Sequence, residues 1–412
     1  MKDILTEICN GKRIPLIGFV EPLLYECYQR DDFMVSEEQA FQDAKACGLD
    51  IIVGAQYNLS KHPTIVERIL QMCEKVGLYY LIRDNEGFKD KTEEQAEMYF
   101  KERYSRFLKY KSFGGINPTD EPGYSSWEKI RKFRRAFYRV FPDKLYFVNL
   151  LQNYAPSWAL ANGAENHGGL QPDNDYDFYC KSYVKQADPT VFCYDFYPFN
   201  GEYPNVQNGF FQQLETVFKY CSLAKVPIWC FLQSSAFPDM SGMRRAPTYE
   251  ELLWQANTSL CYGTTGFAYF CYWIPVDDEN WHGAFIDIRG NKEKTYDYGK
   301  KLNAYLRRIE PHVLGATVCQ IQRAGQILES YSFPHRVCVE GEVITSLIEK
   351  DGTHSVLIAN AGFEKTVTAR ILVGEEVSTL IDVLTGEIYA IVEGSLEVAI
   401  ERGAAKLFKI NK

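Results

Sequence analysis

Residues 113–122 read Phe-Gly-Gly-Ile-Asn-Pro-Thr-Asp-Glu-Pro: an apolar start, a polar finish, two adjacent carboxylates and a proline that stops a strand. The same grammar recurs on both sides. IPLIGFVEP (14–22), LDIIVGAQYN (49–58) and LYYLIRDN (78–85) precede it. KLYFVNLLQN (144–153), PTVFCYDFYPF (189–199), PIWCFLQSSAF (227–237) and TTGFAYFCYWIP (264–275) follow. Each run is short and rich in β-branched and aromatic residues, which predicts eight strands.

Helical patterns fill the gaps. Ser36 stands before EEQAFQDAK as an N-cap, and the pattern ends near Gly48. Pro63 opens PTIVERILQMCEKV, and Gly77 closes it. Thr92 begins a segment with an acidic first turn and a basic last turn, as the helix dipole favours. Five further patterns follow, at WEKIRKFRRAFYRVF, NDYDFYCKSYVKQA, GFFQQLETVFKYCSLAK, TYEELLWQANTSLCYG and TYDYGKKLNAYLRRIEPHV. Eight strand–helix alternations predict an α/β fold, a closed (β/α)8 TIM barrel over residues 1–312. A doubly wound open sheet would usually carry a glycine-rich loop after its first strand, and EPLLYECYQRDDF stands there instead. From 313 the rhythm changes to short strands separated by DG, AG, TG and EG turns, which predicts a small all-β sandwich over 313–412.

The 412 residues are 46% hydrophobic and 24% charged, the composition of a globular chain with a substantial core. The net charge of −9 and the lack of a basic run argue against a nucleic-acid partner. No apolar stretch of about 18 residues predicts a membrane span. The N-terminal MKDILTEICNGKRIPL lacks the apolar run and cleavage site of a secretory signal, so a cytoplasmic location is expected. Twelve scattered cysteines without a CxxC pair read as free buried thiols in a reducing compartment. The six histidines do not pair at ligand spacing, and HExxH, GxSxG and phosphate-loop motifs are missing, so no metal or cofactor is expected.

Working residues of such a barrel lie at the C-terminal ends of its strands. The polar residues there are Glu21, with Glu26 beyond it; Gln56, Tyr57 and Asn58; Asp84 and Asn85; Asp120 and Glu121; Asn149; Asp195 and Tyr197; Gln233; and Tyr272 and Trp273, followed by Asp277. Carboxylates and amides hydrogen-bond hydroxyls, and aromatic faces, abundant in a chain that is 15% aromatic, stack on sugar rings. The ring therefore predicts a carbohydrate ligand. Glu121 can protonate a leaving oxygen if burial and neighbouring carboxylates raise its pKa, and Asp120 and Asp195 are placed to supply that charge. Substrate contacts are expected from Asp120, Gln233, Tyr197, Trp273, Tyr272, Glu21, Asp84 and Asn149. The loop carrying Trp281-His282 is expected to fold over the cleft.

The segment GGINPTDEPG (114–123) resembles the fourth-strand Asn-Glu-Pro of clan A glycoside hydrolases, with Asp120 in place of the usual Asn. It is more similar still to a group of bacterial glycoside hydrolases carrying Asp-Glu-Pro. Those also resemble this chain at YDFYPF, PIWCFLQ and GFAYFCYWIP and share a C-terminal β-sandwich. The resemblance implies that Glu121 is the general acid/base. It also places a nucleophilic Glu at the end of strand seven, where this chain has Gln233, and an amide cannot take that part. The second carboxylate is then expected to be Asp195, ahead of Glu21 and Asp277. It would serve as nucleophile, as the base activating water, or as the group orienting a substrate acetamide. Glu121, Tyr194-Asp195 and Trp273 also resemble the set in chitinase-like glycosidases, although their DxxDxDxE motif is missing. The rival reading is a carbohydrate-binding barrel without catalysis, because of Gln233.

Overall fold

The computed structural model describes residues 4–24, 34–85, 91–164, 176–239, 242–330 and 333–411. Strands β1 (Leu16–Phe19), β2 (Ile51–Val53), β3 (Tyr79–Arg83), β4 (Phe113–Asp120), β5 (Leu145–Leu150), β6 (Phe192–Tyr194), β7 (Ile228–Gln233) and β8 (Thr264–Phe270) close into a barrel in sequence order. Parallel strands covered on both faces must be apolar throughout, which is why they read as continuous runs. Every residue of β5 and β7 is buried. Inside the barrel Phe231 lies 5.4 Å from Phe19 and 6.3 Å from Phe147, centroid to centroid. Gly266 makes room for Trp229: a Cβ there would stand 2.4 Å from the indole.

The helices start where their caps dictate. Ser36 Oγ accepts the Gln39 N–H at the head of Glu37–Ala46. Thr92 and Gln95 form a reciprocal capping box before Glu93–Tyr104. Pro63–Val76 ends at Gly77 in the left-handed conformation, φ 75°. Tyr176–Ser182 runs on into a π-helical turn, Tyr183–Ala187.

The chain divides into two compact units, Met1–Pro247 with Gly266–Asn303, and Thr248–Thr265 with Ala304–Lys412. The second contains a seven-stranded and a three-stranded antiparallel sheet. Their facing residues, among them Val343, Leu347, Val356, Ile371, Val398 and Phe408, form its core. Alternating burial along Val367–Val373 and Ser395–Ile400 shows the smaller sheet with one face in and one face out. Helix Tyr249–Cys261 belongs to this unit: Trp254 Nε1 donates to Ala361 O at 3.0 Å and Asn257 Nδ2 to Gly403 O at 2.9 Å.

Among the described residues no helix is long and apolar enough to cross a membrane. The described cysteines are all free thiols, and all but Cys9 and Cys338 are buried.

Candidate active site

Glu121 follows directly on β4, and its backbone leaves the strand in the left-handed region at φ 44°. For a residue other than glycine this costs about 1–3 kcal/mol and needs support from its surroundings. That support is present. The Glu121 N–H donates to Asn149 O on β5 at 2.9 Å, and its carbonyl accepts from Ala164 N at 3.1 Å. Two residues on, Gly123 lies flat against the chain at 161–162, where a Cβ would meet Ala161 C at 2.3 Å. The kinked backbone is thus gripped on both sides, and the residue as a whole is half-buried.

The Glu121 carboxyl is held well above the usual carboxylate range. Burial is the main cause; the Asp195 and Asp120 charges, a hydrogen bond with Asp195 and the Asp239 charge act in the same direction. Asp195, 2% exposed beyond β6, is pushed up to about 7 by burial. Its hydrogen bond with Glu121 pulls it down, Asp120 pushes it up, and hydrogen bonds with Tyr197 and Asn149 pull it down. Two buried carboxyls in contact share a proton and titrate as a unit, so one acid stays protonated in a range where free carboxylates are ionised. Asn149 on β5 is 4% exposed, and its Oδ1 accepts nothing from the described residues. That leaves an acceptor for a hydroxyl beside the pair. Asp120 is 3.7 Å from the Arg83 guanidinium. Tyr197 packs against Phe237 and Phe270, with centroids at 4.9 and 5.3 Å.

A fourth carboxylate was not among the sequence candidates. The chain leaving β7 turns back as a hairpin, Phe237–Asp239 paired with Gly242–Arg244. Asp239 accepts from Arg244 Nε at 2.7 Å and from the Tyr154 hydroxyl at 3.4 Å. The Arg244 side chain is fully buried and lies over the Tyr154 ring at 4.9 Å. The Pro-Asp-Met-Ser-Gly run at 238–242 is a turn signal that would have found this hairpin.

Other expected contacts have different employment. Glu21 is fully buried and accepts from Ala55 N at 2.6 Å, Tyr57 N at 3.0 Å, Gln56 N at 3.2 Å and the Tyr80 hydroxyl at 3.4 Å, fastening the turn after β2. Burial raises its pKa against the pull of those backbone N–H groups. Asp84 is also fully buried, bonded to Arg103 and to the Tyr104 hydroxyl at 2.7 Å. Gln233 accepts the Phe199 N–H at 2.8 Å and donates to Phe199 O and Arg245 O at 3.0 and 2.7 Å, so both amide hydrogens serve the main chain. Tyr272 is fully buried with its hydroxyl on Ala40 O at 3.2 Å. Trp273 is fully buried beneath Gly290. The structure therefore does not present these five side chains to a ligand, and the polar groups of Glu21, Asp84, Gln233 and Tyr272 are spent on the scaffold. Asp277 is exposed, and Glu26 lies outside the described residues.

The Trp281 loop does reach the mouth. Ala236 and His282 pair backbone to backbone, and the indole of Trp281 lies 5.7 Å from Phe237 and 6.1 Å from Phe270. Beside Glu121 a cavity of about 260 Å³ is lined by Asn85, Asp120, Ser126, Lys129 and Asn162.

No family model matches the chain, and no curated protein does. Solved structures share the fold. A catalytic mutant of Gan42B, a GH42 β-galactosidase from G. stearothermophilus, aligns at TM-score 0.62 and 8% identity over 97% of this chain and 98% of its own. A β-galactosidase from Bacillus circulans sp. alkalophilus aligns at 0.60 and 10% identity over 97% and 99%. An α-amylase from Geobacillus thermoleovorans complexed with acarbose aligns at 0.52 and 9% identity over 98% and 99%. At these identities the likeness is one of fold, a barrel with C-terminal β-sheets that these glycoside hydrolases also have.

Proposed function

We propose that this chain is a glycoside hydrolase in which Glu121 delivers the proton to the departing glycosidic oxygen. The observation that carries the reading is the Glu121–Asp195 carboxyl pair at the barrel mouth, whose surroundings hold a proton more tightly than an exposed carboxylate does. A shared fold with β-galactosidases, and with an α-amylase that holds acarbose, supports a carbohydrate substrate.

Asp195 acts beside the acid rather than across from it. A nucleophile stands about 5–5.5 Å from the acid, and a water-activating base about 6.5–9.5 Å from it. Asp195 is instead near enough to Glu121 to take part in its proton equilibrium. Of the three parts open to Asp195, this leaves the last, orienting a substrate acetamide; the same nearness positions Glu121 and sets its proton affinity. Asp120, Asn149 and Tyr197 contact substrate hydroxyls in this reading.

A panel of 4-nitrophenyl α- and β-glycosides and natural oligosaccharides, assayed with wild type and Glu121→Gln, tests it. Turnover by wild type and its loss in the variant are expected. Sugar binding by a wild type that turns over nothing would establish the non-catalytic carbohydrate-binding barrel instead.

A further inference from the structure

Proton transfer to a departing oxygen fixes where the leaving group must lie. The acid has to come within about 2.6–3.2 Å of that oxygen, so whatever the oxygen carries away occupies space adjoining Glu121. The cavity of about 260 Å³ is such a space, bounded by Asp120 and Glu121 on one side and by Ser126, Lys129 and Asn162 on the other. We propose that this cavity is the leaving-group subsite and that it takes a neutral hydroxylated unit, a sugar or a polyol, whose hydroxyls meet Ser126, Lys129 and Asn162; this rests on the glycosidase reading above.

The far wall is built onto the acid's own turn. Ala164 N donates to Glu121 O at 3.1 Å, and Gly163 sits so close that a Cβ there would stand 3.2 Å from the same oxygen. Asn162, the last residue of helix Ser157–Asn162, is thereby brought beside the acid. Its Nδ2 donates to Trp158 O at 3.1 Å, which fixes the amide. Helix Trp127–Val140 supplies the remaining groups. Ser126 is its N-cap residue, yet the Ser126 hydroxyl caps no backbone N–H. Lys129 follows three residues on, so the two side chains share one face of the helix, and that face lines the cavity. Ser126, Lys129 and Asn162 are all half-buried, so their polar ends are held in place and still within reach of a ligand.

The chemistry of the lining selects the occupant. Among the described residues no aromatic ring lines the cavity, so an aryl group finds nothing to stack on. Ammonium, hydroxyl, amide and carboxyl groups offer donors and acceptors together, which suits hydroxyls, since each hydroxyl both donates and accepts. Lys129 is the one cation among the described lining residues and stands with two carboxyl groups, so an anionic occupant gains little. The volume is below the roughly 300–1,000 Å³ of sites for drug-sized ligands, which leaves room for one ring rather than a chain. Asn149, Asp195 and Tyr197 do not line this cavity, so the leaving group and the transferred sugar are served by separate sets of side chains.

The test compares two glycosides of the sugar that wild type turns over fastest, in the same anomeric linkage: the disaccharide with glucose as leaving group, and the cyclohexyl glycoside. Both leaving groups are rings of the same size that depart as similarly basic alkoxides, so both lean on the Glu121 proton, but only glucose carries hydroxyls. The ratio of their kcat/KM values reads the cavity and does not depend on the fraction of a variant that folds. Wild type is expected to favour the disaccharide by about tenfold or more. Lys129→Met is expected to shrink that preference by about tenfold, and Ser126→Ala by about threefold. A wild type without the preference, or a Lys129→Met ratio within about twofold of wild type, overturns the assignment while leaving the glycosidase reading intact. A wild type that hydrolyses no member of the panel sinks the glycosidase reading, and this assignment with it.

Discussion

The carboxyls of Glu121 and Asp195, contributed by the ends of β4 and β6, come together at the mouth of the barrel, where each shifts the other's proton affinity. The two cannot both ionise without opposing each other, so the pair keeps a proton that an exposed carboxylate gives up.

Glu121→Gln keeps the shape and the fold but removes the proton. The expected loss in kcat is about 10²–10⁴-fold on a substrate with a poor leaving group. With a dinitrophenyl leaving group, which departs without protonation, the loss is expected to be far smaller. Equal losses on both substrates would show that Glu121 does not protonate the leaving oxygen.

How much of this was legible depends on burial. Barrel strands covered on both faces give unbroken apolar runs, so β5 and β7 stood out from residues alone. Ser36 and Thr92 announced their helices because caps are local chemistry. Glu121 was legible because Pro122 ends the strand directly after it. The fate of Tyr272 and Trp273 was not. Strand β8 stops at Phe270, and beyond it no period-2 rule says which side a residue faces. Asp239 is marked only by the turn residues at 238–242, because a hairpin of three-residue strands is too short to show a period.

Asp195→Asn removes a like charge from Glu121, so the Glu121 pKa falls and the alkaline limb of kcat/KM moves to lower pH. Its effect on stability has a definite sign. The folded-state pKa of about 7 lies above the unfolded value of 3.8, so the native state binds the extra proton between them and wild type loses stability as pH rises through that window. The variant lacks this loss. Melting at pH 4 and pH 8 is expected to show Asp195→Asn gaining on wild type at the higher pH by on the order of a few kcal/mol. A difference independent of pH would contradict the shift.

Glu21→Ala orphans the N–H groups of Ala55, Gln56 and Tyr57 in one stroke. The expected cost is roughly 2–4 kcal/mol of folding stability by denaturant titration. The pH profile of the protein that remains folded should keep its wild-type midpoint. A displaced midpoint would move Glu21 from the scaffold into the chemistry.

Gly123→Ala drives a methyl group into the chain at Ala161 and pushes on the grip around Glu121. Turnover is expected to fall by about tenfold or more, with KM changing less, since a small displacement of a catalytic group costs rate before binding. Unchanged kcat would mean that the left-handed turn is not what aims the acid.

The two compact units interleave along the chain, since residues 248–265 lie in sequence between two parts of the barrel unit yet cluster with the sandwich. A gene cut at the obvious seam, after residue 303, would strip the sandwich of Trp254 and Asn257, which bond to Ala361 and Gly403. Neither half can be moved into another protein as one contiguous cassette. Grafting or shuffling either one requires a circularly rearranged or two-piece insert.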